Sequence, residues 1–182
     1  MVPWIEVEGG TLNQFWRKVW EICLLKAGPQ DLPGTQSWLI KAVFAYFSVS
    51  FVLATMNLSV GASLASAFVD VVLLLLASYV ILWVKLTPDR WYQTATSMAA
   101  VSVVIGVFAL PAAGLQAYLG TENSIVAFPV LILIGLIVWN LLIFAQIFKY
   151  ALEVNIFIGA LFSGFYMYLS LKVMNILFFQ AD

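Results

Sequence analysis

The chain has 182 residues, of which 64% are hydrophobic and 9% are charged, and its formal net charge is −1. Soluble domains carry roughly a quarter of charged residues, so this composition excludes a water-soluble globular domain and indicates an all-α, polytopic membrane helix bundle. The sequence has no histidine and one cysteine, which excludes histidine-ligated metals and haem, Ser-His and Cys-His nucleophile pairs, and an intramolecular disulfide.

Residues 1–37 are predicted to form a cytoplasmic N-terminal segment. It opens with "MVPWIEVEGG", which is acidic, whereas a secretory signal has a basic start followed directly by an apolar core; we therefore expect no signal peptide. Residues 11–27 are predicted to form an amphipathic helix, which Gly28 and Pro29 should terminate. Its apolar positions recur at spacings of three and four: Leu12, Phe15, Trp16, Val19, Trp20, Cys23 and Leu24.

Two interpretations of this apolar stripe remain open. It lies in the lipid headgroup layer with its aromatic side chains toward the acyl chains, or it docks a partner protein through Trp16 and Trp20. In either case Cys23 is expected to be a small apolar filler rather than a reactive thiol.

The loop that follows contains "GPQDLPGTQSW", residues 28–38. Pro29 and Pro33 restrict the chain, and Pro33-Gly34 favours a turn. Asp31 is expected to accept backbone N–H groups in that turn, with partner recognition as its alternative role. The loop is therefore predicted to be a stiff elbow between a surface helix and the membrane domain, residues 38–182.

Five apolar segments are long enough to span a bilayer, which takes about 20 residues. They are residues 38–57, 62–86, 91–118, 125–150 and 154–179. The connections are short, so neighbouring spans should be antiparallel, and Pro111 should kink or break the third span. Small residues at helical spacing predict that the second, third and fifth spans form the tightly packed centre.

The placement of lysine and arginine predicts the orientation, because cytoplasmic loops carry an excess of both. With a cytoplasmic N-terminus and five spans, seven of the eight cations fall on the cytoplasmic side: Arg17, Lys18, Lys26, Lys41, Lys85, Arg90 and Lys149. Lys172 lies toward the other side, where the C-terminus is expected, in the periplasm or a lumen.

The segment "DLPGT", residues 31–35, resembles the "DLYGP" motif that precedes the first span in the Yip (Ypt-interacting protein) domain family. Asp31, Leu32 and Gly34 match; Pro33 replaces the tyrosine and Thr35 the proline. The family is also similar in its five spans and their orientation, but its eukaryotic members have a long polar N-terminal region that this chain lacks. The resemblance therefore implies a small bacterial membrane protein with a Yip-like domain, and we do not extend Rab-type GTPase binding to it.

Asp70 and Lys172 are the most deeply placed acid and base of the spans. Asp70 lies about 12 Å and Lys172 about 10 Å below the outer surface at 1.5 Å per residue, and intramembrane ions generally pair or face a polar cavity. We predict an intramembrane ion pair between them. The alternatives are that Lys172 reaches the headgroups while Asp70 is protonated, or that the pair is a proton-coupled gate.

A second polar group lies near the cytoplasmic end of the fourth span. Gln146, Lys149, Glu153 and Asn155 form either a local polar cluster or a solvated corner between two helices.

These observations predict a non-enzymatic integral membrane protein, acting as a Yip-like membrane organiser or a small subunit of a larger membrane assembly. The alternative is a small transporter or channel for an ion, a proton or a lipid. We expect no catalytic residues, cofactor, metal or nucleic acid, with the lipid bilayer and other membrane proteins as partners. The expected location is the bacterial inner membrane.

Overall fold

The structure is a computed structural model that describes residues 12–84, 88–120 and 124–179. These residues form six α-helices and no β-strand. The helices are α1 (Leu12–Cys23), α2 (Gln36–Ala54), α3 (Val60–Val84), α4 (Trp91–Leu119), α5 (Ala127–Leu152) and α6 (Ile156–Met174), the last continuing into a π-helical turn, Asn175–Phe179. Helices α2 to α6 are long and apolar enough to cross a membrane, so the predictions of an all-α fold and of five apolar spans are confirmed.

Some of the residues used in the sequence argument lie outside the described residues. They are Lys85, Asp182 and residues 1–10, whose acidic sequence led us to expect no signal peptide.

Two contacts establish which helix ends lie together. Arg90, just before α4, forms an ion pair of 2.6 Å with Glu153, just after α5. Gly34, just before α2, lies against the side chain of Gln93 in the first turn of α4. The end of the bundle that holds these contacts is called here the Arg90 end, and the opposite end, where α4 terminates, the Gly120 end.

Local sequence explains where the last two helices meet. Glu153 takes a left-handed backbone conformation with φ of 54°, and its N–H donates to the carbonyl of Lys149, which closes α5. Asn155 then caps α6, because its side-chain oxygen accepts a hydrogen bond of 2.9 Å from the N–H of Ile158. An N-cap of this kind satisfies a backbone donor that the helix itself leaves free.

Helix α1 ends earlier than predicted, at Cys23 and not near Gly28. Leu25 adopts φ of 60°, and the N–H groups of Leu25 and Lys26 donate back to the carbonyls of Ile22 and Glu21. This pair of bonds is a Schellman closure. Glycine usually occupies the left-handed position, which is why the sequence directed the prediction to Gly28, whereas tertiary contacts hold a leucine there.

Helix α4 is the central helix. Half of its most apolar stretch is buried inside the protein, against 17% to 28% in the other four long helices. It contacts α1, α2, α3 and α5, whereas α6 packs on α5 and α3. The prediction placed the second, third and fifth spans (α3, α4 and α6) at the centre; α4 is central, but its closest neighbours are α2 and α5.

Small residues mark the close contacts, as expected for helices in lipid, but with different partners. Gly106 of α4 lies against Val49 of α2. Gly159 of α6 lies directly on the backbone of Ala145 in α5, and one turn later the Ser163 hydroxyl donates 2.9 Å to the carbonyl of Leu141 in α5. The small residues of the fifth span therefore join it to the fourth.

Of the kink or break predicted at Pro111, the break does not occur. Helix α4 continues through Pro111 to Leu119, although proline removes one backbone N–H from the helical ladder.

Gly159→Ala should destabilise the bundle, because a Cβ atom at this position would meet the carbonyl oxygen of Ala145. Overpacking of this kind costs about 1–3 kcal/mol. The measurement is thermal unfolding of the purified protein in mild detergent. Gly164→Ala is the matched control, since the space around Gly164 is open and alanine is the better helix former. Equal unfolding midpoints for the two variants would contradict the close α5–α6 contact.

Candidate functional site

A partly open cavity of about 140 Å³ lies among the helices, and all five long helices contribute to its wall; it is called here the polar cavity after the polar side chains that line it. Its lining residues are Tyr46 of α2, Asp70 of α3, Ser102 of α4, Asn140, Leu141 and Phe144 of α5, and Ser163, Tyr166, Met167, Ser170 and Leu171 of α6. Seven of these eleven side chains are polar. In a bundle whose spans are otherwise apolar, such convergence marks this cavity as the candidate functional site.

Asp70 is the one charged residue among the described residues that line the cavity. It lies ten residues into α3, about 15 Å from the start of that helix. Two hydroxyl groups of α2 donate to its carboxylate: Tyr46, and Ser50 at 2.9 Å. Both bonds end on the same atom, Oδ2. The spacing of four residues puts Tyr46 and Ser50 on one face of α2, which is why both reach the same carboxylate.

The other polar side chains of the wall differ in whether they have a hydrogen-bond partner. The Ser163 hydroxyl is bonded to a backbone carbonyl of α5. The side-chain oxygen Oδ1 of Asn140 is buried and has no hydrogen-bond partner. An unpaired buried polar atom costs about 1–3 kcal/mol, so Asn140 is a position where a bound molecule or ion would stabilise the protein.

The predicted ion pair between Asp70 and Lys172 is wrong. Three ion pairs join the described residues, and none of them includes Asp70 or Lys172. Lys172 is exposed, with its ammonium 5.9 Å from the ring centre of Tyr168. The two residues lie at similar depths, but their side chains point in different directions around the bundle, and Asp70 is satisfied by hydroxyl groups of α2.

The four residues of the predicted cytoplasmic polar cluster do not bond to one another. Glu153 pairs with Arg90, and Asn155 caps α6. The Lys149 ammonium lies 5.0 Å from the ring centre of Tyr150, and the buried Gln146 donates 3.3 Å to the carbonyl of Ala27. The alternative of a corner between two helices describes this region better than a common site does.

Side chains of α5 hold the end of α1 and the loop after it. The indole N–H of Trp139 donates 2.9 Å to the carbonyl of Cys23, and Gln146 binds Ala27. Because the last carbonyls of a helix have no partner inside the helix, these two bonds satisfy groups that α1 and its turn leave free. Asp31 accepts the N–H of Gly28 at 2.9 Å, which is the turn contact expected for it.

The buried face of α1 is rotated about the helix axis relative to the apolar stripe that the sequence predicted. Its buried residues are Phe15, Val19, Ile22 and Cys23, and the Phe15 ring stacks on Trp38 at 4.4 Å between ring centres. The proposed docking residues lie toward the edge of this face: Trp16 is half-buried, whereas Trp20 is exposed and contacts Phe108 of α4. The central part of the stripe therefore packs on the protein itself.

Sequence reasoning missed Tyr46, Ser50 and Tyr166 as parts of the site. A usable signal was present, since a tyrosine and a serine four residues apart in an apolar span mark one polar helix face. Asn140 is a polar residue within the fourth apolar segment, but nothing in the sequence joins it to Asp70.

No protein-family model, curated protein or solved structure matches this chain.

Asp70→Ala should destabilise the protein by about 1–3 kcal/mol, because it leaves the Tyr46 and Ser50 hydroxyls without their acceptor. Asp70→Asn keeps an oxygen in place and should cost less. Lys172→Met shares no partner with Asp70, so its effect should add to that of Asp70→Ala. Denaturant titration of the single and double variants in detergent measures these costs. Recovery of the Asp70→Ala loss by Lys172→Met would show that the two side chains interact after all.

Cys23 should resist soluble thiol reagents in native membranes and react after unfolding in sodium dodecyl sulfate. Its side chain is fully buried, and burial raises the pKa of the thiol to about 12, while the thiolate is the reactive form. In the unfolded chain the thiol ionises near its ordinary pKa of about 8.5. The stability that the neutral thiol contributes is therefore complete below that pH and is lost as the pH rises toward 12. Rapid maleimide labelling of native vesicles near neutral pH would contradict this burial.

Proposed function

We propose that this chain is an integral membrane protein in which α2 to α6 cross the bilayer. The distribution of polar and apolar side chains, which is the reverse of that in a soluble protein, supports this proposal. Large apolar side chains point outward from the spans, with Phe44, Phe68 and Leu161 each more than 60% exposed, while Asp70 and its hydroxyl partners point inward. Water would leave this outer surface unstable, whereas lipid acyl chains cover it at no cost.

The proposed orientation has the Arg90 end in the cytoplasm. Arg90 and Lys149 lie at this end, close to Glu153, and Lys41 lies one and a half turns into α2, over the ring of Trp38. The excess of cations in cytoplasmic segments favours this direction. Helix α1 packs along the bundle, with Phe15 and Val19 buried and Arg17 exposed. Its last turns contact Phe108 of α4 and Trp139 of α5, so α1 extends from the Arg90 end toward the middle of the bundle.

Within the membrane, we propose a non-enzymatic role as an interaction component, either a Yip-like membrane organiser or a small subunit of a larger assembly. One observation supports this most directly: almost every described residue belongs to the helices, and the longest described connection is residues 24–35. In the described part of the chain, the surface available to other molecules is therefore almost entirely helical. The lone thiol, Cys23, is buried and has a raised pKa, so it does not serve as a nucleophile.

The proposed likeness to the Yip family rests on the motif at residues 31–35 and on the five spans. In the structure Leu32 is buried, Asp31 closes a turn on Gly28, and Gly34 lies on α4 beside Gln93. The three matching residues thus hold the elbow against the bundle, a structural role that fits a motif placed just before a first span.

A second candidate function is the movement of a small cation across the membrane. The polar cavity around Asp70 favours it, because intramembrane acids that face a cavity commonly mark ion and proton pathways.

The orientation predicts the activity of reporter fusions. A periplasmic reporter such as alkaline phosphatase fused after Asp182 should be active, and the same reporter inserted beside Arg90 should be inactive, because only the former is exported. A cytoplasmic reporter at the two positions should give the reverse pattern and serves as the control. An inactive phosphatase after Asp182, with normal protein levels, would overturn the orientation.

Purification at native expression level in mild detergent separates the two functional proposals. A membrane partner recovered in fixed stoichiometry, and lost with variants of exposed helix residues such as Phe44→Ser, would support the interaction role. A protein that purifies alone and moves cations in liposomes would support transport instead. The matched control for Phe44→Ser is Phe68→Ser on another exposed face.

A further inference from the structure

Two side chains of the cavity wall carry an acceptor oxygen for which the described residues supply no donor. Both hydrogen bonds to Asp70 end on Oδ2, which leaves its second oxygen, Oδ1, for the cavity. The amide oxygen of Asn140, which belongs to the same wall, is buried without a hydrogen bond. A hydroxyl that has donated its proton still offers lone pairs, so Tyr46 and Ser163 add acceptor capacity without adding charge.

When the Asp70 carboxyl is ionised, the charges of the wall are unbalanced by one unit. Among the described residues, the other four helices present uncharged side chains to the cavity: Tyr46 and Ser50 from α2, Ser102 from α4, Asn140 from α5, and Ser163, Tyr166 and Ser170 from α6. All of these are uncharged near neutral pH. An uncompensated carboxylate inside a membrane costs several kcal/mol, and one positive charge removes that cost.

The size and the donor set restrict what brings this charge. A volume of about 140 Å³ holds roughly four water-sized molecules at about 30 Å³ each, which suits an ion that keeps part of its hydration shell. Carboxylate, amide and hydroxyl oxygens are hard ligands, which bind alkali and alkaline-earth cations rather than soft metals. A single carboxylate balances one charge and not two.

We propose that this cavity binds one small monovalent cation. Asp70 supplies the negative charge, and Asn140 and the surrounding hydroxyls supply neutral oxygen ligands. Na⁺ is the cation used to test the proposal. Such binding requires only the folded bundle. It is therefore independent of the interaction role, and it is tested apart from any movement of the ion across the membrane.

The exposed Lys172 is the competing source of positive charge. It follows Leu171, which borders the cavity and is 61% exposed, and its own ammonium lies outside, near the Tyr168 ring. The ion therefore occupies a place that Lys172 leaves open, and removal of the lysine should leave cation binding intact.

The experiment measures thermal unfolding of the full chain in detergent, in buffers where NaCl replaces choline chloride at constant ionic strength. Sodium should raise the unfolding midpoint by about 3 °C at several times its dissociation constant, and the midpoint should continue to rise with the logarithm of the sodium concentration. Radioactive sodium should bind saturably, with a stoichiometry of one per chain. Asp70→Asn keeps an oxygen acceptor and should fold, but it should lose both the shift and the binding. Asn140→Leu is the second variant; it removes one neutral ligand and should weaken sodium binding about tenfold.

Two matched controls accompany these variants. Asp89→Asn removes an exposed acid outside the cavity, and Lys172→Met removes the nearby cation; both should retain the sodium shift. Equal unfolding midpoints in sodium and choline would overturn the proposal. An unfolding midpoint that changes with pH but not with sodium would also overturn it, because the site would then bind only a proton. A sodium shift that appears only in Lys172→Met would also overturn it, because Lys172 would then be the native counter-charge.

Discussion

The close packing of α4 against α2 and α5 is the interaction on which the rest of the structure depends. Helices in lipid gain nothing from hydrophobic exclusion, so their association relies on van der Waals contact at short backbone distances. Gly106 lets α2 approach α4, and the buried alanines and serines along α4 (Ala95, Ser97, Ala99 and Ser102) keep that surface small. Once α2 and α5 lie on α4, the positions of the other helices follow from them.

The polar cavity is a consequence of this arrangement. Helix α6 approaches α5 closely at Gly159 and Ser163, and α3 lies beside α2, where Tyr46 and Ser50 bind Asp70. Tyr166 and Asn140 line the space that remains among the helices. Asp70 and its hydroxyl partners thus lie among the helices, while large apolar side chains face outward. This distribution is the reverse of that in a soluble protein.

Helix α1 and its turn are also fastened to the bundle by hydrogen bonds from α5. The Schellman closure at Leu25 places a β-carbon in a left-handed conformation, which costs roughly 1–2 kcal/mol. The hydrogen bonds from Trp139 and Gln146 to the carbonyls of Cys23 and Ala27 offset that cost, since they satisfy buried backbone groups. The N-terminal helix is consequently part of the bundle, and its remaining exposed face, which includes Trp20, is what lipid or a partner would meet.

Sequence alone was sufficient to determine the elements whose causes are local. The five apolar helices follow from the length of the apolar runs, and the turn at Asp31 from the geometry of its own loop. The small residues of α6 indicated a close contact but not that its partner is α5. Pairing across helices was decided only by the tertiary structure. Asp70 and Lys172 agree in depth, which is readable from residue number at 1.5 Å per residue, but successive residues also rotate by about 100° around the helix axis. The direction in which each side chain then points depends on how every helix turns and tilts to pack, and that packing directs Asp70 to the hydroxyls of α2 and leaves Lys172 on the outside.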